Sequence, residues 1–208
     1  MPTIQSNDRV FFAGQTGSGK TTAARYLLRL VDRLIVIDPK GELNDDIWNL
    51  EESSPRLMHD LEIGRPARLR FVPPLEMPED YYKSIFMFAV DCGNVILYID
   101  EMYAVFPGGA RATDPLVMTW TRGRTLGVGT WGATQRPSWI PLFAMSESQH
   151  YFVFRLMLPE DRSRMAAMMG GEVGNPIPDV HGFWYRDIRE NTPLYVKQLE
   201  VTTSEVNP

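Results

Sequence analysis

The chain has very little cysteine and no long apolar run. Its single cysteine, Cys92, excludes an internal disulfide, which is typical of proteins in a reducing compartment. No stretch approaches the ~20 consecutive apolar residues that a membrane-spanning helix needs. The first nine residues contain no apolar segment of the signal-peptide type. We therefore expect a soluble protein of the cytoplasm with no transmembrane segment of its own.

An excess of positive charge is also absent. The chain carries 21 Lys and Arg against 26 Asp and Glu, a net charge of −5. Any contact with nucleic acid therefore has to be local or created by assembly. Of the 208 residues, 44% are hydrophobic and 11% aromatic, which excludes a disordered or collagen-like chain. The three histidines have no metal-ligand spacing, so no structural zinc is expected.

Short apolar runs alternate with helix-like stretches, a pattern that predicts an α/β fold with a mainly parallel sheet flanked by helices. Strands are predicted at 10–13, 34–37, 69–72, 95–99, 127–133 and 151–156, and helices at about 20–31, 79–90, 115–123 and 159–169. Asp114 and Pro115 favour a helix start there. Residues 51–80 give the weakest pattern. From Phe183 onward, strand-like runs predict a C-terminal β extension, with a hairpin at one edge. No linker is evident, so 1–208 is predicted to be a single domain.

Residues 14–21 match the phosphate-binding loop pattern without departure. Glycines let successive backbone N–H groups turn towards a polyphosphate, and the following helix N-terminus adds partial positive charge. Lys20 can reach the β- and γ-phosphates, and the Thr21 hydroxyl can ligate Mg²⁺. Because the motif follows a predicted strand and opens an amphipathic helix, we predict that it binds ATP. The predicted nucleotide-binding residues are Gly14, Gln15, Thr16, Gly17, Ser18, Gly19, Lys20, Thr21 and Thr22.

A second acidic element follows the most apolar run of the chain, Val95–Ile99. A run of this kind predicts a strand buried on both faces, and Asp100 and Glu101 come directly after it. We expect Asp100 to help hold Mg²⁺ and Glu101 to accept a proton from the attacking water. A GTPase would also need an Asn-Lys-x-Asp element, which the chain lacks.

A third polar position, Gln135, follows the predicted strand at 127–133. In a parallel sheet the carboxyl ends of the strands gather at one edge, where ligands bind. Gln135 can therefore contact the γ-phosphate or the water and act in catalysis. A turn residue before Pro137 explains the same spacing equally well, so both interpretations stay open.

Four stretches together resemble the FtsK–HerA superfamily of DNA-pumping ATPases. They are 14–21, 36–42, 96–101, and 123–128 running into 133–137, with a weaker match at 154–164. The most discriminating element is Thr134–Pro137, since a phosphate loop alone belongs to many families. The resemblance covers about residues 9–165. It implies a RecA-like P-loop NTPase core that forms rings and moves double-stranded DNA.

The resemblance also implies a catalytic arginine that reaches the nucleotide of the neighbouring subunit. By motif match this residue is Arg124, which follows Gly123 at the predicted end of a helix. Arg122 and Arg155 are the alternatives. The Arg-rich stretch 65–70 and the glycine-rich stretch 106–111 are candidate DNA contacts. A solvated charged surface is the favoured interpretation of the first, and the second is better placed because it comes shortly after the acidic pair.

Accessory domains and membrane helices of other superfamily members have no counterpart in this sequence. The chain thereby resembles the small genome-packaging ATPases of double-stranded DNA viruses with internal membranes. The implied partners are double-stranded DNA, a homo-oligomeric ring (hexamer or pentamer), and capsid-vertex or internal-membrane proteins. The implied location is the host cytoplasm or the packaging vertex of the virion. The alternatives are a cellular or plasmid DNA translocase of conjugation type and a protein-secretion or filament-assembly ATPase.

Overall fold

The computed structural model describes residues 4–43, 45–74, 79–106 and 115–199. Its strands are β1 Val10–Ala13, β2 Arg33–Ile37, β3 Glu51–Glu52, β4 Ala67–Phe71, β5 Val95–Ile99, β6 Val128–Thr134, β7 His150–Phe154, β8 Phe183–Asp187 and β9 Leu194–Val196. Its α-helices are α1 Lys20–Leu28, α2 Asp45–Trp48, α3 Pro55–Glu62, α4 Glu79–Cys92, α5 Met102–Val105, α6 Pro115–Arg122, α7 Leu142–Ser146 and α8 Pro159–Met169. Short 3₁₀ segments lie at Gly123–Leu126, Pro137–Trp139 and Gly171–Gly174. Among these residues no helix is long and apolar enough to cross a membrane.

The strands form one nine-stranded sheet in the order β3-β4-β2-β5-β6-β1-β7-β8-β9. Neighbouring strands from β3 to β7 in this order are parallel, whereas β8 runs antiparallel to β7 and β9 antiparallel to β8. Every residue of β5 is buried, because packed layers cover both faces of the central sheet. The predicted α/β fold with a mainly parallel sheet and a C-terminal hairpin is confirmed.

Two apolar cores lie on the two faces of the sheet. Successive residues of a strand point to opposite faces, so Phe11 enters one core and Phe12 the other. The Phe11 core contains Trp120, which is fully buried, and the Phe12 core contains Tyr98. Full burial of one large apolar side chain contributes about 1.5–3 kcal/mol, so both faces stabilise the sheet. The carboxyl ends of its central strands are thereby held in fixed positions.

Several predicted boundaries are wrong by one to three residues, and Arg68 lies at two of them. Helix α1 ends at Leu28, and Leu30 is 80% exposed instead of packing on the core. The guanidinium of Arg68 donates to the carbonyls of Leu28, at 2.9 Å, and Val31, which satisfies the end of the helix. Arg68 itself belongs to β4, which starts at Ala67, before the predicted Leu69, because Ala67 already pairs with Arg33 of β2.

Residues 51–80 hold a short strand and a helix that their pattern did not predict. Helix α3 starts with Pro55 in its first turn, and the Ser54 hydroxyl accepts from the Leu57 amide at 3.5 Å. A Ser-Pro pair is a helix-start signal in the sequence. Helix α6 begins at Pro115 as predicted, whereas Asp114 lies outside the described residues.

Candidate active site

The carboxyl ends of β1, β5 and β6 bring most of the predicted site residues to one edge of the sheet. The phosphate loop follows β1, the acidic pair follows β5, and Gln135 follows β6, which lies between the other two strands. A cleft of about 420 Å³ opens at this edge. Of the predicted residues, its lining includes Thr16, Gly17, Gly19, Lys20, Thr21, Thr22, Asp100, Glu101 and Gln135. Gly14, Gln15 and Ser18 belong to the same loop.

The phosphate loop is anchored to the strands on both sides of β1. The Gly14 amide donates to the carbonyl of Thr134 at 3.1 Å, and the Gln15 amide to that of Arg155 at 2.8 Å. A Cβ on Gly14 would lie 2.7 Å from Cβ of Phe154, so only glycine fits there. These contacts fix the loop between its neighbours, with its helix N-terminus facing the cleft.

Lys20 is a buried cation inside this loop. Its ammonium donates to the carbonyls of Gly14, at 2.7 Å, and Gln15, at 3.1 Å. Burial lowers the pKa of Lys20 to about 8; the nearby carboxylates of Glu101 and Asp100 oppose the shift. A poorly hydrated ammonium in this position gains strongly from an anionic ligand.

Asp100 lies between two hydroxyl groups. Thr21 Oγ1 donates to Asp100 Oδ1 at 3.2 Å, and the buried Tyr98 hydroxyl donates to the same oxygen at 2.7 Å. Burial raises the pKa of Asp100, while the two hydrogen bonds act in the opposite direction. Hydroxyl and carboxylate oxygens are ligands that Mg²⁺ accepts together with substrate phosphates. The described residues contain no cluster of three or more acidic, histidine or cysteine side chains that could hold a metal ion.

Glu101 has a different environment although it is the next residue. Its side chain is 13% exposed, and Oε2 lies 4.0 Å from the ammonium of Lys40. The other oxygen, Oε1, is buried and has no hydrogen-bond partner among the described residues. Because Glu101 lines the cleft and its other oxygen has only a long contact with Lys40, the carboxylate can accept a proton from a water molecule once the side chain turns an oxygen towards the cleft.

Gln135 contacts the phosphate loop directly. Thr16 Oγ1 donates to Gln135 Oε1 at 2.9 Å, so the end of β6 is linked to the loop after β1. The next residue, Arg136, turns away and pairs with Glu160 at 2.5 Å and Asp161 at 2.9 Å. Gln135 is thus part of the cleft lining as well as a residue before a turn.

The predicted arginines lie at opposite ends of the parallel strands, with Arg122 and Arg124 at the amino ends and Arg155 at the carboxyl ends. Arg124 is exposed and lies in the 3₁₀ segment before β6, as Arg122 lies at the end of α6. The seven residues of β6 separate Arg124 from Gln135, and a strand of this length spans roughly 20 Å. Arg155 directly follows β7, and its guanidinium donates to the carbonyls of Ile177 and Pro178 at 3.2 and 2.8 Å. Arg124 therefore cannot reach the cleft of its own chain.

Of the two candidate DNA-contacting stretches, the structure describes residues 65–70 in full and only Phe106 of 106–111. Arg68 and Arg70 lie in β4, where their guanidinium groups donate to backbone carbonyls inside the fold, those of Trp48 and Leu43 among them. Residues 67–70 therefore lie in a strand and not in a loop, and the guanidinium groups of Arg68 and Arg70 are engaged within the fold. The DNA contact of this stretch stays a prediction. Most of the glycine-rich stretch, 107–111, lies outside the described residues.

Comparison with known proteins gives one relative in sequence and several in fold. No protein-family model matches the chain. The DNA packaging ATPase P9 of Enterobacteria phage PRD1 is 28% identical over 158 residues, which covers 74% of this chain and 66% of the phage protein, just under two thirds. The chain resembles viral genome-packaging ATPases.

Solved structures extend this likeness to the fold. The genome packaging NTPase B204 from Sulfolobus turreted icosahedral virus 2, in complex with AMPPCP, has a TM-score of 0.77 at 16% identity, covering 94% of this chain and 100% of that chain. The pCW3 conjugation coupling protein TcpA has a TM-score of 0.58 at 15% identity, covering 90% of this chain and 59% of that chain. The predicted P-loop NTPase fold of the packaging ATPases is thus confirmed.

Within this packaging-ATPase fold, the cleft contains residues that sequence reasoning missed. Lys40 lines the cleft and belongs to the stretch 36–42, but its sequence position indicated no role. Tyr98 is fully buried and supports the cleft through its hydrogen bond to Asp100, and its hydroxyl within an apolar run was the only signal. The rest of the described lining consists of Ala23, Tyr26, Glu42, Phe154, His181, Gln198 and Leu199. The last three come from the C-terminal part of the chain and reach the cleft only through tertiary folding, so no local pattern marks them.

Proposed function

We propose that this chain is an ATP-hydrolysing motor that translocates double-stranded DNA and packages a viral genome into a preformed capsid. One observation carries the proposal: a phosphate loop, an acidic pair and a polar strand end converge on one cleft within the fold of the packaging ATPases. The sequence likeness to the PRD1 packaging ATPase supports the same function.

In the proposed reaction, each group of cleft residues has a separate role. The loop amides and Lys20 bind the β- and γ-phosphates, which neutralises the charge around the reacting phosphorus. Thr21 and Asp100 would hold Mg²⁺, which would supply further charge neutralisation when the nucleotide is bound. Glu101 accepts the proton of the attacking water. Gln135, linked to the loop through Thr16, orients that water or contacts the γ-phosphate.

Assembly completes the proposed site. Arg124 of one subunit would reach the nucleotide of its neighbour in a homo-oligomeric ring, a hexamer or pentamer, of single RecA-like domains. Since the chain has a net charge of −5, DNA would be held by local contacts in the ring. We place this ring in the host cytoplasm, at a capsid vertex or beside internal-membrane proteins during packaging.

A conjugation-type DNA translocase is the second candidate. It is favoured by the fold likeness to the conjugation coupling protein, which extends over 90% of this chain. Both candidates pump DNA, and they differ in the partner that receives it. A protein-secretion or filament-assembly ATPase differs from both, because DNA would not stimulate its turnover.

The test is ATP turnover with and without double-stranded DNA, followed by displacement of a third strand from a triplex. Stimulation by DNA together with triplex displacement is expected, and the Glu101→Gln variant should show neither. Turnover that ignores DNA would favour a protein-moving ATPase. Absence of ATP binding would contradict the whole assignment. Co-purification with capsid or with relaxosome proteins distinguishes packaging from conjugation.

A further inference from the structure

The turn after β2 is fixed by a buried carboxylate. Asp38 is fully buried and accepts the backbone amides of Gly41, Glu42 and Leu43 at 2.9, 3.3 and 3.0 Å. Arg70 lies 3.6 Å from the same carboxylate and donates to the carbonyl of Leu43 at 2.7 Å. With its backbone amides bound in this way, the turn cannot shift without breaking several hydrogen bonds.

This turn presents Lys40 to the cleft. The Lys40 side chain is 40% exposed and lines the cleft, whereas the Glu101 side chain 4.0 Å away is only 13% exposed. A fixed backbone therefore carries a side chain that can still change its partner. The present partner is the residue expected to act as the base.

The ammonium groups of Lys20 and Lys40 both line the described part of the cleft, but only Lys20 belongs to the phosphate loop. The ammonium of Lys20 is held by loop carbonyls, and its pKa is lowered further by the positive charge of Lys40. An ion pair at 4.0 Å in a partly exposed position is weak. A γ-phosphate brings more negative charge and more acceptor oxygens than one carboxylate, so it competes well for Lys40.

We propose that Lys40 is a positioning residue that holds Glu101 in the nucleotide-free site and moves to the γ-phosphate when ATP binds. Glu101 is then free to take the proton of the water whose oxygen bonds to the γ-phosphorus, while the bond to the bridging oxygen of ADP breaks. Bound ADP has no γ-phosphate, so it leaves Lys40 with Glu101. This inference rests on the proposed ATPase function and adds to it a response to the third phosphate.

The first test compares nucleotide affinities by calorimetry for wild type, Lys40→Met and Lys40→Arg. Lys40→Met should lower the affinity for a non-hydrolysable ATP analogue about 10-fold, which is the effect of losing one charge-assisted contact. The affinity for ADP should change little. Lys40→Arg should restore most of the loss. Lys83→Met removes the same charge from α4, outside the cleft, and should change neither affinity. If Lys40 had a purely structural role, Lys40→Met would lower the affinities for the ATP analogue and for ADP by the same factor.

A double-mutant cycle tests the link to Glu101. In Glu101→Gln the carboxylate no longer competes for Lys40, so the ATP analogue should bind several-fold more tightly than to wild type. The gain should vanish in the Lys40→Met, Glu101→Gln double variant. Lys40→Gln repeats the cycle if the methionine variant is poorly folded. Equal gains with and without Lys40, or an unchanged analogue affinity in Lys40→Met, would overturn the inference.

Lys20→Ala separates this failure from failure of the proposed function. If Lys20→Ala loses nucleotide binding while Lys40→Met retains the wild-type preference for triphosphate, only the role of Lys40 is wrong. If Lys20→Ala binds ATP as well as wild type does, the phosphate-loop assignment itself fails. Turnover adds a further readout, because Lys40→Met should raise KM more than it lowers kcat.

Discussion

Asp100 and Glu101 show how two adjacent carboxylates acquire different chemistry from their surroundings. Both hydrogen bonds at Asp100, from Tyr98 and Thr21, reach one oxygen, and this side chain is thereby held in place. Glu101 has one oxygen near Lys40 and one that is buried without a partner among the described residues. A fixed carboxylate suits a metal ligand, and a carboxylate whose oxygens accept no hydrogen bond among the described residues can turn to a water molecule and act as a base.

Glu101→Gln should therefore bind ATP but hydrolyse it at least about 100-fold more slowly, because the amide cannot accept the proton. Single-turnover measurements with labelled ATP, alongside calorimetry, separate binding from chemistry. Glu52→Gln, on the exposed strand β3 at the far edge of the sheet, is the matched control and should retain wild-type turnover. Normal turnover in Glu101→Gln would move the base to another residue.

Tyr98→Phe tests the support of Asp100. The substitution keeps the ring that stacks on Trp48 and removes only the hydroxyl 2.7 Å from Asp100. Loss of a hydrogen bond behind a metal ligand typically costs 10- to 100-fold in metal affinity or activity. We expect the Mg²⁺ concentration for half-maximal turnover to rise by roughly 10-fold, with the thermal midpoint little changed. An unaltered Mg²⁺ titration would show that the hydroxyl does not position Asp100 for a metal.

At the scale of elements, continuous buried strands could be predicted from the sequence and contacts between distant segments could not. Strands β1 and β5 were predicted at their observed bounds, because their apolar runs are uninterrupted. The phosphate loop is equally local. In contrast, the approach of Lys40 to Glu101 depends on the pairing of β2 with β5, and no local pattern contains that pairing.

Strand β6 was predicted within one residue of its bounds, but the packing role of its glycines was not, since glycine ordinarily weakens a strand. All its residues are buried, and both of its glycines leave room for neighbouring atoms. A Cβ on Gly129 would lie 2.1 Å from the carbonyl oxygen of Ser6, and a Cβ on Gly132 would lie 2.5 Å from Sδ of Met102. Close packing of α5 on β6 thus depends on glycine, and this packing positions the residue next to Glu101.

Gly132→Ala should destabilise the fold by about 1–3 kcal/mol, the usual cost of overpacking a core. The added methyl would also meet Trp120 at 2.9 Å, so both α5 and α6 would have to shift. Chemical denaturation measures the loss. Gly171→Ala is the matched control, because a Cβ there meets no atom within 4 Å, and it should be nearly neutral. Equal stability of the two variants would show that the layers can relax.

At the scale of the whole molecule, the cleft and Arg124 lie at opposite ends of the parallel strands. The cleft is at the carboxyl ends, and Arg124 is at the amino end of β6. The phosphate loop, the acidic pair and Gln135 follow the strands, whereas Arg124 precedes β6. No rearrangement of side chains alone bridges the length of a strand. A site that uses Arg124 therefore has to be assembled from two copies of the chain. The amino ends of the strands in one copy would face the carboxyl ends of the strands in the next.

This arrangement predicts that the isolated monomer binds ATP but hydrolyses it slowly. Specific activity should rise with protein concentration or on addition of double-stranded DNA, because an arginine supplied by a neighbour contributes ~10³–10⁵ in rate. Arg124→Ala should keep ATP affinity and lose turnover. Arg122→Ala and Arg155→Ala, the alternatives, should retain more activity than Arg124→Ala.

Mixing two inactive variants gives the decisive form of this test. In a mixed ring, Arg124 from a Glu101→Gln subunit can face an intact Glu101 in an Arg124→Ala subunit, so part of the turnover should return. Recovery from two inactive parents requires a site shared between chains, since neither variant carries both groups. Native mass spectrometry of the mixture shows whether mixed rings have formed. Inactive mixed rings, or a fully active Arg124→Ala variant, would exclude Arg124 and direct the search to Arg122 or Arg155.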